Sequence, residues 1–291
     1  MAEAKRLKIA YQGEPGANSH IACREACPDH EPMACGTFED AFTAVASGEC
    51  DLAMIPIENS VAGRVADIHH LLPKAKLYIT GEHFLRVNHQ LMVLPGVKVS
   101  DIKSVHSHVH ALGQCRNVIR ELGLKAVVAA DTAGAARELA EAPDRSRAVI
   151  ASKLAAEIYG LEILRTDIED EDHNTTRFVL LAANPRDAEP EDAPVVTSFV
   201  FRVRNVPAAL YKALGGFATT GVNMTKLESY QVEGQFSATQ FYADIEGHPS
   251  ERNVRLALEE LEFFTSYLRI LGVYKASPLR AEIAQRTNLP G

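Results

Sequence analysis

Long apolar runs and a surplus of basic residues are both missing from this sequence. No stretch reaches the length of a membrane span, and the basic residues near the start precede a short strand-like run instead of the apolar core of a signal peptide. The formal net charge of -8 argues against a nucleic-acid partner held by phosphate contacts. We therefore expect neither membrane nor nucleic acid as a partner, and we expect the protein in the cytoplasm.

Cysteine pairs that commonly hold metals or form disulfides are missing too. The chain has five cysteines, an odd number, and no CxxC pair. Reduced thiols are the default for such a chain without an export signal. Cys23 and Cys27 could share a helix face, but two thiols do not complete a zinc site.

What the sequence does contain is one clear boundary within its 291 residues. Residues 184–194, NPRDAEPEDAP, combine three prolines with four acidic residues, a composition typical of a linker. The linker separates a larger region, residues 6–183, from a smaller one, residues 195–276. We expect the remaining tail, residues 277–291, to be frayed.

The larger region alternates strands with helices, which predicts an α/β fold with parallel sheets. The helix FEDAFTAVA has Thr37 as a natural N-cap. Thr37 precedes Ile55 by the same spacing as Thr132 precedes Ile150, a weak repeat that indicates two similar lobes. Ligands of such folds bind beyond the carboxyl ends of the strands, often in a cleft between lobes.

The smaller region has a different order of elements. The strand VTSFVFRV is followed by a helix after Pro207 and by a hairpin of VNMTKLESY and FSATQFYADIE. A helix from about Glu251 to Leu268 and the strand LGVYK complete the order βαββαβ, which is typical of a ferredoxin-like module.

Four polar segments adjoin the apolar strands of the larger region. They are GEPGANSH, IENSVAG, HSHVHALGQC and EDEDHNTTRF. GEPGAN matches neither GxGxxG nor a Walker motif, so we interpret it as a tight turn that lets backbone approach a substrate. We interpret the acidic run, residues 169–172, as a solvated loop that moves with the cleft. His106, His108 and His110 favour zinc only in a strand, where alternate residues share a face, and we place a helix start there.

In this order, YQGEPGANSH, PIENSVAG, SHVHALGQC and HNTTRF, followed by a βαββαβ module, resemble the prephenate dehydratase family. The resemblance spans nearly the whole chain. It implies a bilobed periplasmic-binding-protein-like catalytic region and a ferredoxin-like ACT domain. It also implies a homo-oligomer, dimer or tetramer, that decarboxylates and dehydrates prephenate to phenylpyruvate in phenylalanine biosynthesis. No metal or cofactor is required, because the reaction restores aromaticity and needs only orientation and help for the leaving group.

The resemblance also implies the residues of the active site. The catalytic candidates are Thr176, Asn59, Ser107, Gln114 and His89. The substrate-binding candidates are Glu58, Ser60, Arg177, Gly16 and Ala17. Ser107 is well placed as an N-cap, and Thr176 needs a hydrogen-bonded neighbour because threonine alone is a poor acid. Arg177 could hold a carboxylate or pair with the acidic run, and Glu58, which would repel an anionic substrate, could bind a partner donor.

Phenylalanine, the effector that the resemblance implies, would bind the ACT domain. The candidate residues are Ala208, Ala209, Leu210, Asn223, Met224, Glu228 and Ser229. Ala208 stands where the family motif has glycine, and Tyr230 and Gln231 replace its arginine and proline. Tyrosine does not replace a planar cation, so the strength of the inhibition stays open. Phenylalanine binding is the favoured hypothesis, and the alternative is a packing module that dimerises.

Two other functions remain open from the sequence. Arogenate dehydratase performs the same chemistry on the aminated substrate, and the sequence does not separate the two. A non-catalytic small-molecule sensor would combine a bilobed binding domain with an amino-acid-binding module, but it would not need Thr176.

Overall fold

The computed structural model describes residues 6–192, 194–204, 206–232 and 235–287. The chain divides into two compact units. The first holds the residues up to Val65 together with Phe84–Phe178, and the second holds Ala66–His83 together with the residues from Val179 onward. Within the described ranges, no helix has both the length and the apolar character needed to cross a membrane.

The larger region contains eleven strands and seven α-helices among its described residues. In chain order they are β1 (Lys8–Gln12), α1 (Asn18–Ala26), β2 (Glu31–Cys35), α2 (Phe38–Ala46), β3 (Leu52–Asn59), β4 (Gly63–Arg64), α3 (Ala66–Leu71), β5 (Tyr78–Arg86), β6 (Gln90–Val93), β7 (Ser104–Ser107), α4 (Val109–Gln114), α5 (Arg116–Glu121), β8 (Lys125–Val128), α6 (Thr132–Glu141), β9 (Arg147–Ala151), α7 (Lys153–Tyr159), β10 (Glu162–Arg165) and β11 (Thr175–Ala182).

Two sheets with related strand orders form the predicted pair of α/β lobes. Lobe one has the order β2-β1-β3-β11-β5, with β4 added to β3, and lobe two has the order β10-β6-β9-β7-β8. In each lobe a central strand, β1 or β7, pairs in parallel with both neighbours. The predicted repeat is visible in the register, because Ala10 pairs with Ala53 in lobe one and Val105 pairs with Ala148 in lobe two.

Local signals explain why the helices begin where they do. Thr37 caps α2 in a capping box with Asp40, as the sequence predicts. Asp131 caps α6 by accepting the N–H of Gly134 at 2.6 Å. In lobe two, buried aliphatic side chains fill both faces of the sheet, which fixes the strand ends that carry the polar segments.

The second unit contains the βαββαβ module predicted from the sequence. Its elements are β12 (Val195–Val203), α8 (Ala209–Thr220), β13 (Met224–Val232), β14 (Gln235–Glu246), α9 (Arg252–Phe264), β15 (Thr265–Lys275) and the additional α10 (Pro278–Thr287). The antiparallel sheet has the order β13-β14-β12-β15, and Phe199, Phe217 and Leu261 belong to the apolar core that it forms with α8 and α9.

Two predictions about this module are wrong. The helix α9 ends at Phe264 and not at Leu268, because Thr265 and Leu268 already pair with β12. The described part of the tail is not frayed but forms α10, in which Arg280 contacts the buried carboxylate of Glu82 at 2.6 Å.

The segment Ala66–His83 belongs to the second unit, although it lies far from the module in sequence. Arg269 of β15 donates to the carbonyls of Pro73, Ala75 and Leu77 at 2.8–3.1 Å. Gly272 lies so close to Ile79 that a Cβ atom there would collide with the carbonyl oxygen of Ile79. The boundaries that the sequence suggests at residues 184–194 stay a prediction.

Candidate active site

The polar segments meet at the ends of strands in the first unit. Asn59 is the last residue of β3, Thr176 is the second residue of β11, and Gln114 is the last residue of α4. Asn59 and Thr176 come together because β3 and β11 are neighbours in the sheet of lobe one, and Ser60 N–H donates to the carbonyl of Thr175 at 2.9 Å.

Asn59 uses its whole amide inside the protein. Its Nδ2 donates to Thr176 Oγ1 at 2.9 Å and to Asn174 Oδ1 at 2.8 Å. Its Oδ1 accepts the N–H groups of Val61 and Ala62 at 3.0 and 2.7 Å. Since Thr176 Oγ1 is the acceptor in this pair, the hydroxyl hydrogen of Thr176 remains to be donated elsewhere. Thr176 therefore has the hydrogen-bonded neighbour that is expected from the sequence, and its catalytic role stays a prediction.

Gln114 and His89 form a second pair next to the first. His89 Nε2 lies 2.9 Å from Gln114 Oε1, and Asn174 Nδ2 donates to the same oxygen at 2.8 Å. With its oxygen engaged by two donors, Gln114 keeps its NH2 group for another acceptor. His89 is only 4% exposed, and burial lowers its pKa, so its ring is neutral near neutral pH.

Arg177 and Glu58 form an ion pair at 2.9 Å, with the Arg177 side chain 3% exposed. Glu58 therefore has the partner donor expected of it. The guanidinium also lies 6.0 Å from the centre of the Phe84 ring. The substrate-binding roles of both residues stay predictions.

Two residues of the acidic run have fixed structural partners, so its interpretation as a solvated loop is wrong for them. Glu169 accepts from Asn88 Nδ2 at 2.7 Å and from the N–H of His89 at 2.9 Å. Asp170 accepts the first N–H groups of α5, those of Arg116 and Asn117, at 2.9 and 3.1 Å. Both carboxylates thus hold segments that carry His89 and Gln114.

Ser107 is fully buried and donates its hydroxyl to the carbonyl of Ile150 at 2.6 Å. It ends β7, and the N-cap of α4 is His108. The predicted capping role of Ser107 is therefore wrong, because the chain stays extended for one residue more. Its catalytic role stays a prediction.

The glycine-rich segment forms the predicted turn, with Gly16 at φ +91°. Its close approach is to lobe two: a Cβ atom at Gly16 would lie 2.7 Å from Ala155 Cα. Ser152 Oγ donates to the carbonyl of Gly16 at 2.5 Å, and Tyr159 donates to the carbonyl of Pro15 at 2.9 Å. Ala17 follows as the N-cap residue of α1. Its contact with substrate, like that of Gly16, stays a prediction.

Ser60 fastens the loop after β3 to the start of β11. Its hydroxyl donates to the carbonyl of His173 at 2.7 Å and accepts the N–H of Thr175 at 2.9 Å. These contacts hold the start of β11, which carries Thr176, next to the end of β3. The substrate-binding role of Ser60 stays a prediction.

In the described part of the chain, no group of three or more His, Cys, Asp or Glu side chains is arranged to hold a metal ion. His106 Nε2 lies 3.1 Å from Ser104 Oγ, and the rings of His108 and His110 lie 5.1 Å apart. Burial raises the pKa of the Cys50 thiol to about 11, so it is not a ready thiolate.

The effector candidates lie at the start of α8 and along β13. Ala208 caps α8 in the left-handed region, with φ +61°, a conformation that favours glycine. Asn223 Nδ2 donates to Glu246 at 3.0 Å, and Lys226 pairs with Glu228 at 3.3 Å. Tyr230 hydrogen-bonds to Gln240 and packs 5.6–5.8 Å from the rings of His69 and His70. The remaining candidates are Ala209 and Leu210 at the start of α8, and Met224 and Ser229 on β13.

Sequence reasoning missed Asn174 and Ser152. Asn174 is inside HNTTRF, but only the fold reveals that it reaches both Asn59 and Gln114. Ser152 had a usable signal, because a serine directly before a helical pattern is a common N-cap.

Comparison with known proteins finds relatives over most of the chain. Residues 9–186 match the family model described as prephenate dehydratase. A bifunctional N-acyl-homoserine lactone acylase/prephenate dehydratase of Komagataeibacter europaeus is 53% identical, over 94% of this chain and 97% of that protein. Arogenate dehydratase 2 of Petunia hybrida is 39% identical, over 94% of this chain and 72% of that protein.

A solved structure shows the same fold. The prephenate dehydratase of Arthrobacter aurescens in complex with L-Phe superposes with a TM-score of 0.86 at 29% identity, covering 98% of this chain and 100% of that chain.

Proposed function

Because this chain belongs to the prephenate dehydratase family, whose members are lyases that remove water and carbon dioxide from their substrate, we propose that it converts prephenate to phenylpyruvate. The carbon–carboxylate bond breaks, its electron pair enters the ring, and the ring hydroxyl leaves with its own electron pair. One proton taken up by that oxygen completes water, so the products are phenylpyruvate, carbon dioxide and water. The enzyme has to orient the substrate and assist the leaving oxygen.

The observation that carries this proposal is the hydrogen bond from Asn59 Nδ2 to Thr176 Oγ1 at 2.9 Å. It directs the hydroxyl hydrogen of Thr176 away from Asn59, and it stabilises negative charge on Oγ1 as that hydrogen moves to the departing oxygen. A positioned proton donor of this kind contributes about 100- to 10,000-fold in rate. Thr176 is thus the catalytic acid, and Asn59 supports it.

The other requirement is orientation of the substrate. The NH2 group of Gln114 meets it as a neutral hydrogen-bond donor to a substrate carboxylate. His89 and Asn174 engage its oxygen, so the nitrogen is the end left for substrate. Arg177 is paired with Glu58. We propose that this ion pair shapes the site and that Glu58 partly neutralises the positive charge of Arg177.

We also propose that the βαββαβ module is an ACT domain of residues 195–276, joined by the linker 184–194 to a catalytic region of residues 6–183. Phenylalanine would bind near Ala208 and Glu228 and shift the enzyme toward a less active state. The relative solved with L-Phe supports this choice of effector. The assembly would be a cytoplasmic dimer or tetramer, which light scattering on the purified protein measures.

The test follows phenylpyruvate formation from prephenate at neutral pH with a chelator, with and without phenylalanine. Formation well above the spontaneous rate is expected, and slowing by phenylalanine supports regulation. Thr176→Ala should lower turnover by about 1,000-fold, while the neighbouring Thr175→Ala should not. If the unmutated protein forms phenylpyruvate no faster than the spontaneous reaction does, the assignment of prephenate as its substrate is refuted.

Two relatives suggest further substrates for the same protein. Arogenate differs from prephenate in an amino group, so kinetics on both substrates decide between the two dehydratase activities. The 53% identical relative also carries lactone acylase activity in its name. Release of homoserine lactone from an N-acyl derivative, lost in Thr176→Ala, would place that activity at the same site.

A further inference from the structure

Asn174 lies between the two lobes, with its amide joined to a residue of each. Its Oδ1 accepts from Asn59 Nδ2 at 2.8 Å, and its Nδ2 donates to Gln114 Oε1 at 2.8 Å. The side chain is 2% exposed, so water does not replace these partners. We propose that Asn174 is the positioning residue that sets which end of the Gln114 amide faces the substrate.

The direction of each hydrogen bond follows from the neighbours. Both acceptor positions of Asn59 Oδ1 are taken by the N–H groups of Val61 and Ala62, so Asn59 must present its nitrogen to Asn174. Asn174 must therefore accept with its oxygen Oδ1, so its nitrogen Nδ2 is left to donate to Gln114. Gln114 must then turn its own oxygen inward.

The consequence reaches the substrate through Gln114. Its oxygen faces Asn174 and the His89 ring, so its two N–H donors face the cleft. Backbone N–H groups at Val61 and Ala62 thereby determine, through three amides, that the cleft offers donors and not an acceptor. Such a surface suits a substrate with carboxylates. This inference rests on the proposed dehydratase function.

The substitution Asn174→Asp tests the polarity without changing the shape. The introduced carboxylate would still accept from Asn59, but its second oxygen would face Gln114 Oε1. The Gln114 amide would turn to donate to that oxygen, and its N–H groups would leave the cleft. We expect KM for prephenate to rise about 10- to 100-fold with a smaller change in kcat, because hydrogen bonds to a charged ligand are lost.

Asn174→Ala removes both links and should lower kcat as well as raise KM, because Asn59 loses one of its supports beside Thr176. The matched controls are Asn184→Asp and Asn184→Ala, the same changes at an exposed asparagine, with both constants unchanged. Thermal unfolding of every variant checks that it folds.

A double-mutant cycle separates positioning from general structural damage. In a Gln114→Ala background, Asn174→Asp should change KM less than about twofold, because the group through which Asn174 acts is gone. Effects that add fully, or an Asn174→Asp variant with KM unchanged, would overturn the proposal.

A second readout does not depend on turnover. In side-chain amide NMR spectra, Asn174→Asp should move the Gln114 NH2 resonances, and Asn184→Asp should not. If the unmutated protein turns over no prephenate but these resonances move, the assignment of prephenate as substrate fails and the positioning role of Asn174 stands. Resonances that stay in place would refute the positioning role, whatever the activity.

Discussion

The two lobes use the same frame for different purposes. In lobe one, the strand that follows Ile55 continues to Asn59 and carries it to the neighbour β11. In lobe two, the strand that contains Ile150 ends at Ala151, and Ser152 starts α7. Ile55 and Ile150 occupy equivalent positions in the weak sequence repeat. After Ile55 the chain stays extended as far as Asn59, whereas after Ile150 it enters a helix capped by Ser152.

The difference teaches how a repeated fold becomes one site. Lobe one carries Thr176 and Asn59, while lobe two carries Gln114 and also the side chains that hold the Pro15–Gly16 turn of lobe one. Ser152 and Tyr159 bond its two carbonyls, and Arg137 faces Glu14 at 3.5 Å. Four pairs of substitutions compare the two lobes and the contacts between them.

The largest effect is expected at Gly16, which packs against Ala155 of lobe two. Gly16→Ala forces an alanine into φ +91° and places its Cβ 2.7 Å from Ala155 Cα. The free energy of unfolding should fall by about 3 kcal/mol or more, combining backbone strain with overpacking. Gly48→Ala, at φ +77° with open space around it, should lose only about 1 kcal/mol. Urea unfolding measures both, and equal losses would contradict the contact between lobes.

The next effect separates a cap that also crosses between lobes from a local one. Ser152 caps α7 by accepting the N–H of Ala155 at 3.0 Å and also donates to the carbonyl of Gly16, whereas Thr37 caps α2 in a capping box with Asp40. Ser152→Ala should cost about 2 kcal/mol and Thr37→Ala about 1 kcal/mol in unfolding free energy. Chemical denaturation compares them, and a larger loss for Thr37→Ala would count against the bridging role.

A smaller effect is expected from the ion pair between Arg137 and Glu14. Both side chains are more than a third exposed, so water and salt screen the pair. Arg137→Met also removes the pair with Glu141 at 3.2 Å, so it should lower the unfolding midpoint slightly at low salt and not at high salt. Arg165→Met, which breaks a pair with Glu121 inside lobe two, is the control and should behave alike. A salt-insensitive loss for Arg137→Met would show that its role is packing.

The smallest effect is expected from the protonation of two histidines, one in each lobe. It contributes nothing to stability at neutral pH and appears only when the pH is lowered. Burial lowers the pKa of both His20 and His89 below 6.5. Between that value and the lower folded pKa the unfolded chain binds more protons, so stability falls as the pH drops below 6.5. His89→Gln should flatten this loss more than His20→Gln, because His89 is more deeply buried. Denaturation midpoints measured from neutral pH down to about pH 5 give this loss of stability. If the variants lose stability with pH as steeply as the unmutated protein does, the lowered histidine pKa values are not its cause.

Local signals made much of the fold predictable. The helix α2 follows from Thr37 and its apolar period, and the βαββαβ order follows from alternation and turns. The end of α9 was not predictable, because apolar spacing continues past Phe264 and only pairing with β12 makes Thr265 extended. Tertiary pairing overrides local propensity there.

The candidate site was predictable in membership more than in arrangement. Asn59, Thr176, Gln114 and His89 do meet, but Ser107 turns its hydroxyl to Ile150 and Asn174 was overlooked. The bond between Asn59 and Asn174 joins residues 115 positions apart. No local pattern reports such a contact, because it depends on which strands become neighbours.

The placement of Ala66–His83 in the second unit has a consequence for modular inheritance. The chain passes between the units three times, after Val65, after His83 and after Phe178. A recombination event at the acidic, proline-rich linker would transfer β15 without the carbonyls that Arg269 binds. The βαββαβ module of this protein therefore cannot be exchanged intact by joining two genes at one point. The segment Ala66–His83 would have to be inserted as well.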